Sequence, residues 1–155
     1  MSASLNQSRS VARLAAVQAL YQMEVSGATT ADVIADFTAG KLPRESEATY
    51  SDGEGDFELF KILVETAVER QATYDRAIAR RLSKGWRLER IDAVARAILR
   101  AGAAELEQRT DIPVAVVIDE YVEVAKAFFD APEPGFVNAT LDALARDLRP
   151  GEQSA

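Results

Sequence analysis

Apolar side chains return every three or four residues along nearly the whole chain, and this constrains the fold more than any other feature of the sequence. The pattern is clearest from Leu88 to Glu107, where Ile91, Val94, Ala95, Ile98, Leu99, Gly102 and Leu106 share one helical stripe. No stretch shows the strict alternation of a half-buried strand. The chain therefore reads as all-α, a compact bundle of about seven helices.

The remaining helices follow from the same period. A first helix over Ser8 to Val25 places Val11, Leu14, Ala15, Gln18 and Tyr21 on one face, with Val17 and Leu20 beside it and Gly27 as C-cap. Thr30 can cap a short second helix carrying Val33, Ile34 and Phe37. A third, from Asp56 to Gln71, buries Phe57, Phe60, Leu63, Val64, Ala67 and Val68. A fourth, after a break near Thr73, turns Tyr74, Ile78 and Leu82 inward. Asp111 caps a sixth, with Pro113 in its first turn, where the missing N–H costs nothing. That helix contributes Val114, Val117, Ile118, Tyr121, Val124, Ala125 and Phe128 to the core. A seventh runs from Phe136 to Leu148, buries Val137, Leu141 and Leu144, and is stopped by Pro150. Residues 39–55, rich in Gly and acid, read as a solvated loop; Ser83-Lys84-Gly85 is a turn, and residues 131–135 form a Pro-rich rigid loop. The expected organisation is one helical domain over residues 8–149, with disordered ends at 1–7 and 150–155.

Composition removes most enzymatic chemistry. The 155 residues contain no cysteine and no histidine, hence no thiolate nucleophile, no imidazole base and no common zinc ligand. There is no phosphate-binding Gly-rich loop and no HExxH. Asp52-Gly-Glu54-Gly-Asp56 lacks the twelve-residue ligand pattern of a calcium loop. No catalytic residue, metal, cofactor or small-molecule substrate is expected. No apolar run reaches the roughly 18 residues of a membrane span, and the N-terminus lacks a signal-peptide core. The expected location is cytoplasmic.

Charge is distributed unevenly. The chain carries 25 acidic against 18 basic residues, a net charge of −7, yet its first carboxylate is Glu24 and only Arg9 and Arg13 are charged before it. A cationic helix start on an acidic protein suits a phosphate backbone; two solvated arginines on a frayed end are the plainer reading, and on charge alone the weightier one. A second basic stretch holds Arg76, Arg80, Arg81, Lys84, Arg87, Arg90, Arg96 and Arg100, with Trp86 in its middle. It fits a nucleic-acid surface and a solvated helical pair equally well. Arg96 and Arg100 lie one turn apart and are placed to pair with Glu105, Glu120 or Glu123. Tyr21, Phe128, Phe129 and Phe136 are candidate stacking platforms for splayed RNA bases. Phe129 stands out because it and Phe128 cannot both face inward on one helix. Asn138, inside the last apolar stripe, is expected to hydrogen-bond a loop or helix end.

Three stretches together resemble the NusB transcription antitermination family: Arg13-Leu-Ala-Ala-Val-Gln-Ala-Leu-Tyr-Gln22; Trp86-Arg-Leu-Glu-Arg-Ile-Asp92 running into Ala97-Ile-Leu-Arg100 and Ala104-Glu-Leu106; and Ile112-Pro-Val with Ile118 to Lys126 and Phe136 to Asp142. Their order and spacing span about residues 9–148. The resemblance implies two perpendicular three-helix bundles plus an accessory helix. It implies binding of boxA-type RNA in nascent ribosomal transcripts together with the ribosomal protein NusE, inside an RNA polymerase antitermination complex. Carried onto this chain, it implies RNA contacts at Arg9, Arg13, Gln18, Tyr21 and Phe136. Partner contacts are expected at Glu89, Arg96 and Phe129, and structural roles for Trp86, Arg100, Glu105, Glu120 and Asn138. The chain departs from the family's pattern in having only two N-terminal arginines, Gly135 where many members have Lys, and Pro132 in a loop that often carries Asp. Weak RNA binding without NusE follows from those departures. Two other readings stand beside it: an RNA-docking domain of an rRNA methyltransferase, and a helical scaffold that binds only protein.

Overall fold

The computed structural model describes residues 2–40, 56–82 and 87–152, with side chains from Leu5 onward. Most of the expected 39–55 loop, the Ser83-Lys84-Gly85 turn and Trp86 lie outside the described residues. Within them there are seven α-helices and no strand: α1 (Ser2–Ser26), α2 (Thr30–Thr38), α3 (Phe57–Glu69), α4 (Gln71–Arg81), α5 (Ala93–Gln108), α6 (Val114–Phe128) and α7 (Glu133–Leu148). A single 3-10 turn, Leu88–Arg90, precedes α5, so the helix expected from Leu88 begins five residues later.

Helix α5 is the axis of the molecule. It packs against α1, α3, α4, α6 and α7, and its residues from Ala101 to Leu106 are all buried. Such a helix must be slim and largely apolar; the Ala and Gly content of α5 meets both needs, and its Arg96, Arg100 and Glu105 are each held in ion pairs. At Gly102 a Cβ would lie 2.8 Å from Leu141 Cδ2, so a side chain there would have to displace the Leu141 tip from α5. Helices α1, α2 and α3 pack on one another as one three-helix group; α5, α6 and α7 form a second, and α4 joins it as an accessory through α5 and α7. This is the grouping expected from the resemblance.

Helix boundaries follow local chemistry. Gly27, at φ +78°, closes α1 in the left-handed conformation that glycine adopts without cost. The start of α2 is capped by Thr29 rather than Thr30, in a reciprocal box with Asp32. Asp56 and Asp92 cap α3 and α5, accepting from Leu59 N at 2.9 Å and Val94 N at 2.7 Å.

Several expectations fail at the ends. Helix α1 begins at Ser2, so residues 2–7 continue the helix instead of forming a disordered lead. Asp111 does not cap α6; its carboxylate pairs with Arg109 at 2.9 Å. The first N–H of α6, on Val114, instead goes to Glu152 Oε2 at 2.9 Å. Beside it Arg149, only 5% exposed, donates to the carbonyls of Leu106 (2.6 Å), Ile112 (2.5 Å) and Arg109 (2.6 Å). Carbonyls at a helix C-terminus have no donor within their own helix, and this guanidinium supplies one. Residues up to Glu152 are therefore part of the folded body. Val68 and Phe57, expected inside, are both 39% exposed.

Candidate nucleic-acid interface

The two N-terminal arginines occupy different environments. Arg13 is 3% exposed and lies in the interior. Its Nε and Nη2 donate to the two oxygens of Glu105 at 2.9 and 2.6 Å, and its Nη1 donates to Glu120 at 3.0 Å. Glu105 also accepts from Tyr121 Oη at 2.8 Å, and Glu120 from Ser10 Oγ at 2.7 Å. Burial works against the Arg13 charge, but hydrogen bonding and Coulomb attraction from Glu105 outweigh it and hold the guanidinium above its ordinary pKa. Burial, reinforced by the Glu105 charge, likewise pushes the Tyr121 phenol up. Arg13 is therefore withdrawn from the surface: every nitrogen of its fork is committed to a carboxylate network, buried at Glu105 and open to solvent at Glu120, that joins α1 to α5 and α6.

Arg9, one turn earlier, is half-buried at the surface of α1, and its Nε–H has no acceptor among the described residues. The charge of Arg9 reaches Asp111, whose carboxyl is held down at about 2, first by the Arg109 hydrogen bond and least by Arg9. Farther along α1, Gln18 is half-buried and Tyr21 is 36% exposed. Phe136 sits in the first turn of α7, half-buried and packed against the core.

The central basic stretch divides in two. Arg96 pairs with Glu24 and also donates to the carbonyls of Leu88 (3.0 Å) and Ile91 (2.6 Å). Arg100 binds both oxygens of Asp75 at 2.8 Å and reaches Glu24 at 3.1 Å. Arg81 pairs with Asp147. The partners expected for Arg96 and Arg100, namely Glu105, Glu120 and Glu123, are not theirs: the first two belong to the Arg13 network and Glu123 pairs with Lys126. Arg76, Arg80, Arg87 and Arg90 are exposed, and none is in an ion pair among the described residues.

The sequence profile of the NusB family matches residues 10–146. This chain belongs to the NusB family. The transcription antitermination protein NusB of Caulobacter vibrioides is 55% identical over 96% of this chain and 99% of its own length. That of Nitrobacter hamburgensis is 52% identical over 93% and 89%. Among solved structures, NusB of T. maritima superposes with a TM-score of 0.71 at 31% identity, covering 90% of this chain and 91% of that one. A crystal structure of the antitermination factors NusB and NusE in complex with dsRNA matches with a TM-score of 0.73 at 27% identity, over 91% and 98%.

Against that family, the residues assigned to partner contact separate. Glu89 and Arg96 line one cavity of about 630 Å³ between the C-terminal end of α1, the start of α4 and the 3-10 turn. Arg96 serves there as a structural cation, bound on three sides by Glu24 and two carbonyls. Phe129 lies elsewhere, just past α6, half-buried against the core, while Phe128 is 40% exposed. The sequence reading had the two reversed. Asn138, expected inside the α7 stripe, is exposed. Arg100, Glu105 and Glu120 are all engaged in the ion pairs above. Among the described residues no group of His, Cys, Asp and Glu could hold a metal ion, and no helix is long and apolar enough to cross a membrane. Sequence reasoning missed Arg149 and Glu152, whose partners lie some 40 residues away and follow no helical period.

Proposed function

We propose that this chain is an RNA-binding transcription antitermination factor without enzymatic activity. It binds boxA-type RNA of nascent ribosomal transcripts together with NusE, in the cytoplasm, and helps RNA polymerase read through terminators. The observation that carries the reading is the full-length match, in sequence to antitermination proteins and in fold to a NusB seen with NusE and dsRNA. The methyltransferase-domain and scaffold readings have no comparable support: the antitermination relatives align over 99% and 89% of their own lengths.

In this proposal Arg9 makes the phosphate contact and Tyr21 offers a ring for stacking, with Gln18 one helical turn before Tyr21. Phe136 supplies a second apolar contact from α7. Glu89 remains a partner-facing carboxylate. Counterion release makes binding fall steeply with salt.

The test is a titration of boxA and scrambled RNA, each with and without NusE. The wild-type chain with NusE is expected to prefer boxA RNA. Arg9→Glu is expected to lose most of that binding while its circular dichroism stays helical. Undiminished binding by Arg9→Glu would remove Arg9 from the interface. Arg13 is left out of the test because its loss would perturb the fold itself.

A further inference from the structure

Outside α4 and the 3-10 turn that follows it, the described Lys and Arg side chains other than Arg9 and Lys61 are all held in ion pairs. Arg76 and Arg80 of α4, and Arg87 and Arg90 of the turn region, are exposed and have no ion-pair partner among the described residues. An acidic protein thus keeps its unspent cations mostly in one place. We propose that the outer face of α4 is a phosphate track, on which Arg76, Arg80 and Arg87 bind the backbone of RNA flanking the boxA element without reading its sequence. The inference rests on the RNA-binding reading above and adds a surface that reading does not use.

The excess is created by an inner layer of arginines. Asp75, the one acid of α4, is taken through both oxygens by Arg100 at 2.8 Å. Asp147 of α7 is taken by Arg81; the charge of Arg80 also reaches it, but the Arg81 hydrogen bond is what chiefly holds its carboxyl below the ordinary value. Asp92 caps α5, and Glu89 lines the cavity beside α1. The nearby acids are therefore spent or turned elsewhere, and the outer guanidiniums stay available. Arg76 and Arg80 are four residues apart and share one helical face. The 3-10 turn packs against α4, and Arg87 leads into it. Arg80, in the last turn of α4, also suits the negative end of the helix; that accounts for neither Arg76 nor Arg87. The exposed residues of α4 are Gln71, Ala72, Arg76, Ala79, Arg80 and Arg81, with no ring and no acid among them. Bases have no platform there, so the contact positions RNA without specifying it. All three cations are arginine, whose planar fork meets a phosphate with two parallel hydrogen bonds. RNA is favoured over an acidic protein because a transcript continues on both sides of boxA. Once boxA is held, its flank is tethered at high effective concentration, and weak phosphate contacts then count.

The test is fluorescence anisotropy at several salt concentrations, with the full chain, NusE and two labelled RNAs: boxA alone, and boxA extended at both ends by unstructured nucleotides. Wild type is expected to bind the extended RNA about tenfold more tightly than the short one, whatever the sequence of the extension. The variant Arg76→Gln, Arg80→Gln, Arg87→Gln is expected to bind both RNAs as wild type binds the short one. Its slope of log affinity against log salt on the extended RNA should be smaller by about two, for three contacts to a single strand. A control variant, Lys61→Gln, Lys126→Gln, Arg146→Gln, removes as many exposed charges from α3, α6 and α7 and is expected to keep the gain from the extension. Equal loss in both variants would make the gain an effect of net charge and overturn the track. No gain from the extension in wild type, or a gain retained by the Arg76, Arg80 and Arg87 variant, would overturn it while leaving the RNA-binding reading intact. Loss by that variant of NusE binding measured without RNA would assign the face to protein and overturn it too. Failure of wild type with NusE to prefer boxA over scrambled RNA would overturn both readings.

Discussion

Helices α1 and α5 are joined by ion pairs at both ends, with the charges exchanged. Toward the N-terminal end of α1, α1 provides the cation and α5 the acid: Arg13 and Glu105 are 3% and 0% exposed. Toward its C-terminal end the roles reverse: Glu24 of α1, 30% exposed, meets Arg96 and Arg100 of α5, 13% and 12% exposed. The exchange encodes direction. Laid parallel instead of antiparallel, the helices would set Arg13 against Arg96 and Arg100, and Glu24 against Glu105. Both ends would then repel, at several kcal/mol for charges without solvent. The difference in burial encodes magnitude. A carboxylate without water depends wholly on its partner, whereas one at the rim retains hydration.

The largest expected effect therefore lies at the buried end. Arg13→Met leaves the Glu105 charge in the interior beside a Tyr121 phenol that cannot neutralise it, and should cost about 3–5 kcal/mol in urea unfolding. Removing both charges, as Arg13→Met with Glu105→Leu, should cost less than Arg13→Met alone, because no orphan charge remains. If the double variant proves the less stable, the penalty belongs to lost packing and the reading of this end fails. The same variants sharpen the contrast with Arg9. Arg9→Glu should lose RNA with the fold intact, whereas Arg13→Met should lose RNA only in proportion to the protein that unfolds.

How much of this was readable in advance depends on the range of the interaction. The α5 stripe was legible because Ile91, Val94, Ala95, Ile98, Leu99, Gly102 and Leu106 recur at helical spacing, and Glu105 could be marked as an ion-pairing residue. Its partner could not. Arg13 lies 92 residues away, and its place beside Arg9 in an acid-free segment made it look like a surface cation. Phe128 and Phe129 show another limit. A helical wheel assigns the inward face only while the helix lasts; α6 ends at Phe128, and Phe129 turns to extended backbone (φ −136°, ψ 149°), which returns its ring to the core. The early start of α1 was hidden for the opposite reason. The Ser- and Ala-containing lead has no strong stop and no marked amphipathic stripe, so the pattern gave no notice of its first turns.

At the rim the expected loss is smaller. Glu24→Gln should cost about 1 kcal/mol at neutral pH, within the range of partly exposed pairs. The loss should also depend on pH. Hydrogen bonding from Arg96 is the main cause that holds the Glu24 carboxyl below its ordinary value of 4.5, with Arg100 adding to it and partial burial opposing. A depressed carboxyl stabilises the fold fully above its unfolded pKa and loses that contribution as pH falls through the folded one. The stability gap between wild type and Glu24→Gln should thus hold from neutral pH down to about 4.5 and close below it. A gap that widens on acidification would mean that the carboxyl is not held down by its arginines.

Salt gives the smallest and most discriminating effect. At about 1 M salt the screening length falls to about 3 Å, which reaches charges in contact with solvent but not those without it. Urea unfolding in sodium chloride, with guanidinium avoided because it is itself a salt, should shrink the Glu24→Gln gap to a few tenths of a kcal/mol. The Arg13→Met gap should be far less attenuated, since Arg13 and Glu105 are in contact at 2.6 Å and only 3% and 0% exposed. Equal attenuation of the two gaps would show that water reaches the buried pair. The exchange of charges between α1 and α5 would then still set direction, but the two ends would no longer differ in strength.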